Sequence, residues 1–326
     1  MIKKTDKPSI AIIGCYYGAF PKWIQYWLKS CSMNPTIDFY IVTDITLDNL
    51  PDNVKIISLS LLELKTLADQ TLGMNVALDR PYKLCDLKVF YGVIFHKYIY
   101  MYDYWGHCDF DLIWGNIRKF TDDYRIELYD KFLPFGHLSL YRNTSEVNTR
   151  YKLSGSATAD YRTVLSSNEN YAFDETDGIY SIFKKHNFPM FDKRIFAEIK
   201  TFHKRFRLKF IDRNYKNQVF YYKNGSVYRA YEEDEIKLDE YIYIHFRRKL
   251  KCGNKKWNEI DNFYISKEGM IDSTIDVPTV KDMERYNHNP GRIIEWLETG
   301  RFIINNIGKV KSKIENEIIA YRQKNN

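Results

Sequence analysis

Residues 9–14, Ser9-Ile10-Ala11-Ile12-Ile13-Gly14, form a short unbroken apolar run that stops at a glycine. Such a run reads as a strand buried on both faces, which implies a parallel sheet covered by helices. After a loop over 15–21, residues 22–32 place Trp23, Trp27 and Cys31 at i, i+4 and i+8, with Ile24 and Leu28 beside them. That spacing predicts an amphipathic helix. The stretches 37–44 (IDFYIVTD) and 54–59 (VKIISL) then read as a second and a third strand. Strand, helix, strand at this spacing describes a Rossmann-type α/β unit.

A helix is predicted from Asp79 to about His96, with Asp79 as N-cap, Pro81 in the first turn, and Leu84, Leu87, Tyr91 and Phe95 as an apolar stripe. Gly92 interrupts it and implies close packing against another element. Residues 98–114 are rich in strand formers around a polar centre, Trp105-Gly106-His107-Cys108-Asp109-Phe110-Asp111. Charge at the end of such a pattern marks the C-terminal edge of a sheet, where α/β proteins place their sites. Further on, 136–142 reads as a strand, 144–170 as a long loop or lid, and 179–186 as a short helix. Strands are predicted at 219–222, 227–231 and 241–246, and a helical pattern from Gly291 onward. No repeat or low-complexity linker separates these parts. The expected organisation is a Rossmann-type α/β part (1–135), an α+β continuation of the same globular domain (136–260), and a C-terminal helical extension (261–326).

Composition bounds the function. The 326 residues carry 49 Lys+Arg against 42 Asp+Glu, a formal charge of +7, which is modest for a nucleic-acid binder and suits an enzyme handling anionic molecules. A hydrophobic content of 44% with 16% aromatics excludes a disordered or fibrous chain. No apolar run approaches the ~20 residues of a spanning helix. Residues 1–7 carry no apolar leader, so a cytoplasmic location is expected. Five cysteines without a CxxC suit a reducing compartment and argue against structural zinc.

The sharpest chemical feature is Asp109-Phe110-Asp111. Carboxylates one residue apart on an extended chain point to the same side, and their mutual repulsion is relieved by a hard divalent cation such as Mg²⁺ or Mn²⁺. That cation can bind the phosphates of a nucleotide. The structural alternative is a solvated pair at a strand end, but the aromatic neighbours make casual exposure less natural.

The first strand and loop (10–18), the helix Tyr82-Lys83-Leu84-Cys85-Asp86-Leu87-Lys88, and the D-x-D together resemble a GT-A-type glycosyltransferase. The similarity is to bacterial enzymes that build capsule, O-antigen and other surface polysaccharides, and it extends over roughly residues 9–250. The resemblance implies a UDP-sugar donor, Mn²⁺ or Mg²⁺ at the D-x-D, and a glycan or lipid-linked glycan acceptor. It implies metal contact by Asp111, and contact with the ribose or the metal by Asp109. It puts Lys83 and Asp86 beside the donor, although residues three apart also form an ordinary helical ion pair. It takes Asp44 to the ribose or base, where a turn-capping aspartate is the alternative. It makes His245 a third metal ligand, against the reading of a structural strand histidine, though no Gly-x-Lys follows at the family's spacing.

Three further groups are read from the residues. Cys15, Tyr16 and Tyr17 follow the first strand, so their backbone can approach a nucleotide and an aromatic ring can stack on its base. Arg247, with Arg248 and Lys249, can neutralise diphosphate oxygens. Asp174-Glu175-Thr176-Asp177-Gly178 reads either as helix-start charge or as the source of an acceptor-side general base, Glu175 or Asp177. The basic tail from Arg301 reads as a covering helix or as a peripheral anchor to the inner membrane face. The competing functions are a nucleotidyltransferase or phosphotransferase using the same carboxylate–metal logic, and a non-catalytic carbohydrate-binding protein.

Overall fold

The computed structural model describes residues 7–200, 205–209, 213–247, 249–274 and 277–288, with 294, 296, 297, 300, 301 and 304 beyond them. The first strands are β1 (Ile10–Cys15), β2 (Ile37–Thr43), β3 (Val54–Ser58), β4 (Tyr104–Cys108) and β5 (Leu112–Trp114). They are followed by β6 (Lys131–Phe132), β7 (Leu138–Arg142), β8 (Met190–Phe191) and β9 (Ala197–Glu198). The remainder are β10 (Gln218–Lys223), β11 (Ser226–Glu232), β12 (Ile236–Tyr241), β13 (Tyr243–His245), β14 (Asn262–Ser266) and β15 (Gly269–Ser273).

The central sheet has seven strands in the order β3-β2-β1-β4-β7-β6-β8. The four strands β3, β2, β1 and β4 run parallel, and β7 joins β4 antiparallel. The apolar run of β1 does what a two-faced strand must. Ile10 and Ile12 enter a core with Trp27 and Leu28, while Ala11 and Ile13 enter a second core with Leu64, Phe90 and Tyr91. Alternate side chains leave a strand on opposite faces, so the sheet is covered on both sides. Helix α1 (Ile24–Ser32) supplies the first cover, within the span its aromatic spacing predicts.

The second cover is helix α2 (Leu61–Leu72) together with short helical turns between Pro81 and Ile99. Helix α2 was not anticipated, although its ends are written plainly. Ser60 and Glu63 form a reciprocal capping box and Gly73 closes the helix in the left-handed region at φ 68°. The helix predicted from Asp79 to about His96 is present as an almost continuous run of short helical segments, Pro81–Lys83, Leu84–Leu87, Lys88–Phe90, Tyr91–Ile94 and His96–Ile99. Asp79 does not cap it; its carboxylate accepts from Asn168 Nδ2. Gly92 does make the expected close approach, since a Cβ there would stand 2.5 Å from the Trp105 ring.

Two smaller sheets complete the fold. One has the order β5-β13-β9 and the other, antiparallel, the order β12-β11-β10-β14-β15, with a core including Ile113, Ile244, Phe220 and Phe263 between them. Residues 262–273 are therefore a hairpin in a sheet, where a helical extension was expected; their strands alternate inward residues such as Phe263 and Ile265 against the core. The stretch 144–170 contains the helices Ser145–Thr149 and Tyr161–Ser166 and so is not one open loop. Most of the basic tail after Arg301, and Arg248, lie outside the described residues. No helix among the described residues is long and apolar enough to cross a membrane.

Candidate active site

The D-x-D lies where the chain leaves the central sheet at β4 and enters the three-stranded sheet at β5. Phe110 turns inward and packs against Trp27, ring centroids 5.1 Å apart, and Tyr16 at 5.3 Å. Gly14 makes this possible, because a Cβ there would lie 2.7 Å from the Phe110 ring. With Phe110 committed to the core, the flanking carboxylates face out, each about one third exposed. The backbone is pinned at each residue. Asp109 N–H donates to the His137 carbonyl, Trp23 Nε1 to that of Phe110, and Phe246 N–H to that of Asp111, each at 3.1 Å. His245 stands opposite Leu112 in the β5–β13 ladder and brings Nε2 to 3.3 Å from Asp111 Oδ1. Asp109, Asp111 and His245 each offer a donor atom within 4.8 Å of the others. Two carboxylates and an imidazole are a donor set that suits Mn²⁺ or Mg²⁺.

A cleft of about 450 Å³ opens beside them, its walls including Cys15, Tyr16, Tyr17, Tyr82 and Lys88. Tyr16 stacks on Phe20 at 4.5 Å and makes an aromatic wall. Burial pushes the Cys15 thiol up to about 12, so it stays neutral.

Lys88 is the residue the sequence reading left without a role. Its ammonium lies 2.5 Å from Asp109 Oδ1, 3.1 Å from Asp174 Oδ2 and 3.0 Å from the Gly136 carbonyl. Burial opposes its charge, but Asp109 and Asp174 more than offset that and hold it protonated. Asp174 is buried, which lifts its carboxyl to about 7 in spite of Lys88; burial also raises Glu175. Gly136 leaves room for both, since a Cβ there would come within 2.1 Å of Asp174 Oδ2 and 3.1 Å of Glu175 Oε1. Burial likewise works against the Asp111 anion, yet the hydrogen bond and charge of His245 hold its pKa below the usual range.

The other predicted residues fall elsewhere. Lys83 and Asp86 do not line the cleft. Both are fully buried, with Lys83 Nζ 2.8 Å from Asp86 Oδ2 and 2.6 Å from the Glu169 carbonyl, while Asp86 accepts from the amides of Tyr171 and Phe173 at 2.9 Å. They form a clip that fastens the segment leading to Asp174. Asp44 is exposed at the end of β2, near enough to Tyr17 to oppose its ionisation. Arg247 donates to Glu198 Oε1 at 2.9 Å, which commits it to that carboxylate. Asp177 is exposed; its buried neighbour Asp174 faces Lys88 instead.

Behind the site Lys131 is fully buried, donating to the Leu133 carbonyl and to Ser139 Oγ at 2.6 Å, and burial lowers its pKa from 10.5 to about 7. Between pH 7 and 10.5 the unfolded chain holds a proton that the native state has released, so stability rises with pH across that window. Below pH 7 both states are protonated and the full desolvation cost of the ammonium remains. Replacing Lys131 by Met is expected to raise the unfolding free energy at pH 6.5 by about 1–3 kcal/mol and to flatten the rise toward pH 9.5, read by urea denaturation at the two pH values. Ser139 keeps its bonds to the Leu133 and Phe135 carbonyls in that variant.

No curated protein matches the chain. The solved structures similar to it include the glycosyltransferase GlyE of Streptococcus pneumoniae TIGR4, at 10% identity over 58% of this chain and 46% of that one, with a TM-score of 0.33. The chain thus spans about half of that protein. The galactosyltransferase LgtC, in complex with donor and acceptor sugar analogues, is similar at 10% identity over 58% of this chain and 75% of that one (TM-score 0.33). Mouse xyloside xylosyltransferase 1 is similar at 10% identity over 59% and 88% (TM-score 0.35). In sequence, residues 12–274 match a family described as "Family of unknown function (DUF6625)", and because that match covers most of the chain, the D-x-D and His245 included, the chain belongs to this family.

Proposed function

We propose that this protein is a metal-dependent glycosyltransferase of GT-A type, moving a sugar from a UDP-sugar to a glycan or lipid-linked glycan in surface polysaccharide synthesis. One observation carries the reading: Asp109, Asp111 and His245 converge within 4.8 Å at the rim of a cleft walled by aromatic side chains. In this reading the three residues hold Mn²⁺ or Mg²⁺, and the ion, when bound, offsets the negative charge that grows on a departing diphosphate. Lys88 adds a fixed positive charge beside Asp109. Tyr16 and Tyr17 flank the base, and the backbone after β1 approaches the nucleotide. Glu175 or the exposed Asp177 offers a carboxylate to an acceptor hydroxyl, the group from which an inverting enzyme must take a proton. The odd, CxxC-free cysteine content supports work on the cytoplasmic side, at the inner membrane face when the acceptor is lipid-linked.

A thermal-shift panel of nucleotide sugars with and without Mn²⁺, joined to an assay of the released product, tests this. UDP with Mn²⁺ at a hundred times its Kd is expected to stabilise the fold by about 2.7 kcal/mol, and UDP without metal by much less. Release of pyrophosphate instead of UDP would assign a nucleotidyltransferase. Glycan binding without Mn²⁺-dependent nucleotide binding would assign a non-catalytic module.

A further inference from the structure

Behind the acidic pair, the three-stranded sheet gathers a second set of donor atoms. His245 and Glu198 are register partners on the adjacent parallel strands β13 and β9, so their side chains leave the same face of the sheet. His137, just before β7, joins them from the central sheet, its ring centroid 4.5 Å from that of His245. Each of the three offers a donor atom within 4.8 Å of the others, and none is more than 7% exposed.

The decisive feature is what these atoms lack. His137 Nε2, Glu198 Oε2 and His245 Nδ1 are all buried without a hydrogen-bond partner. The opposite atom of each side chain is engaged. The Tyr243 hydroxyl lies 2.7 Å from His137 Nδ1, Arg247 and Lys209 donate to Glu198 Oε1 at 2.9 and 3.2 Å, and His245 Nε2 faces Asp111. Three side chains are therefore oriented by neighbours while three donors are left over. Buried polar groups are ordinarily satisfied, and a leftover set at one place points to a ligand.

We propose that His137, Glu198 and His245 bind one transition-metal ion of the zinc class. Two imidazoles and one carboxylate are what such ions take, whereas the carboxylate-rich outer pair suits a harder cation. A tetrahedral zinc site with bonds of about 2.0–2.1 Å sets its ligand atoms about 3.3 Å apart. The His137 Nε2 to Glu198 Oε2 gap of 3.9 Å closes to that with a shift of about half an ångström. Tyr243 serves as the outer partner, its oxygen accepting from His137 Nδ1–H so that Nε2 presents a lone pair. The cations on Glu198 Oε1 oppose a dication, but their side chains are 35% and 39% exposed and water screens them. His245 is shared with the outer group, and holding both ions at once requires its ring to release its N–H proton to solvent and bridge them as an imidazolate, so filling one site is coupled to filling the other.

The test uses the full chain, stripped with a chelator, and needs no nucleotide, so its outcome is independent of the sugar-transfer reading. Zn²⁺ is titrated against a chromophoric chelator, and Co²⁺ is followed by its visible absorption. The wild-type protein is expected to take up one tight equivalent of Zn²⁺ and to give a tetrahedral Co²⁺ spectrum. Glu198→Gln, nearly isosteric, and His137→Gln are expected to weaken zinc binding at least about a hundredfold, while Asp109→Asn leaves it unchanged. The proposal is overturned if the wild type takes up no zinc, as when a buried water fills the place. It is equally overturned if Glu198→Gln, folded by circular dichroism, binds as the wild type does, or if Asp109→Asn is the variant that loses zinc.

Discussion

Asn in place of Asp111 is expected to lower sugar transfer about 10²–10³-fold and to leave the unfolding midpoint nearly unchanged. The substitution keeps the size of the side chain and removes its charge. Beyond the His245 contact, little of the fold leans on that charge, because the anchoring at this point is made by the backbone, through Phe246 N–H on the Asp111 carbonyl and Phe110 in the core. The carboxylate is nonetheless held in its anionic form by His245, which is the form a cation needs. Release of UDP and urea denaturation, measured on the same preparation, read the two quantities apart. Retained turnover together with a large loss of stability would sink the assignment of the site.

The reverse pattern is expected of Asp86. Its replacement by Ala strands the Lys83 ammonium in a place that excludes water, and leaves the amides of Tyr171 and Phe173 without their acceptor. Breaking a buried pair in this way costs about 3–5 kcal/mol, a large share of the stability of an ordinary domain. The double replacement Lys83→Met with Asp86→Leu removes both charges and is expected to recover part of that loss, although the two amides stay unpaired. Urea denaturation of the two single variants and the double gives the coupling energy between the partners. Near-additive effects would show that the clip is not one unit.

The elements readable in the sequence were those whose pattern is local. β1, α1, β2 and β3 follow from an unbroken apolar run, an aromatic i, i+4, i+8 spacing and β-branched stretches, and the structure has each of them within a residue or two of its predicted ends. The D-x-D was legible because two acids flanking an aromatic follow directly on the run of strand formers that becomes β4. The Lys83–Asp86 pair misled because a three-residue spacing fixes adjacency but says nothing about burial. Lys88 carried a signal that went unread: it sits four residues after Leu84 and three before Tyr91, a basic side chain on the apolar stripe. The association of Asp174 with Lys88, and of His137 with Glu198 and His245, spans 86 positions in the first case and two sheets in the second, and no local pattern encodes such pairings.

The ladder between β5 and β13 has one more implication. It sets the spacing of the Asp111 carboxylate and the His245 imidazole by backbone pairing, Tyr243 with Trp114 and Ile244 with Ile113. Chain length can vary in the hairpin turns of the outer sheet without disturbing that spacing. One residue inserted between Tyr243 and His245 would swing the imidazole to the far side of the sheet and bring an apolar neighbour up against the acid, so this three-residue strand tolerates substitution far better than insertion.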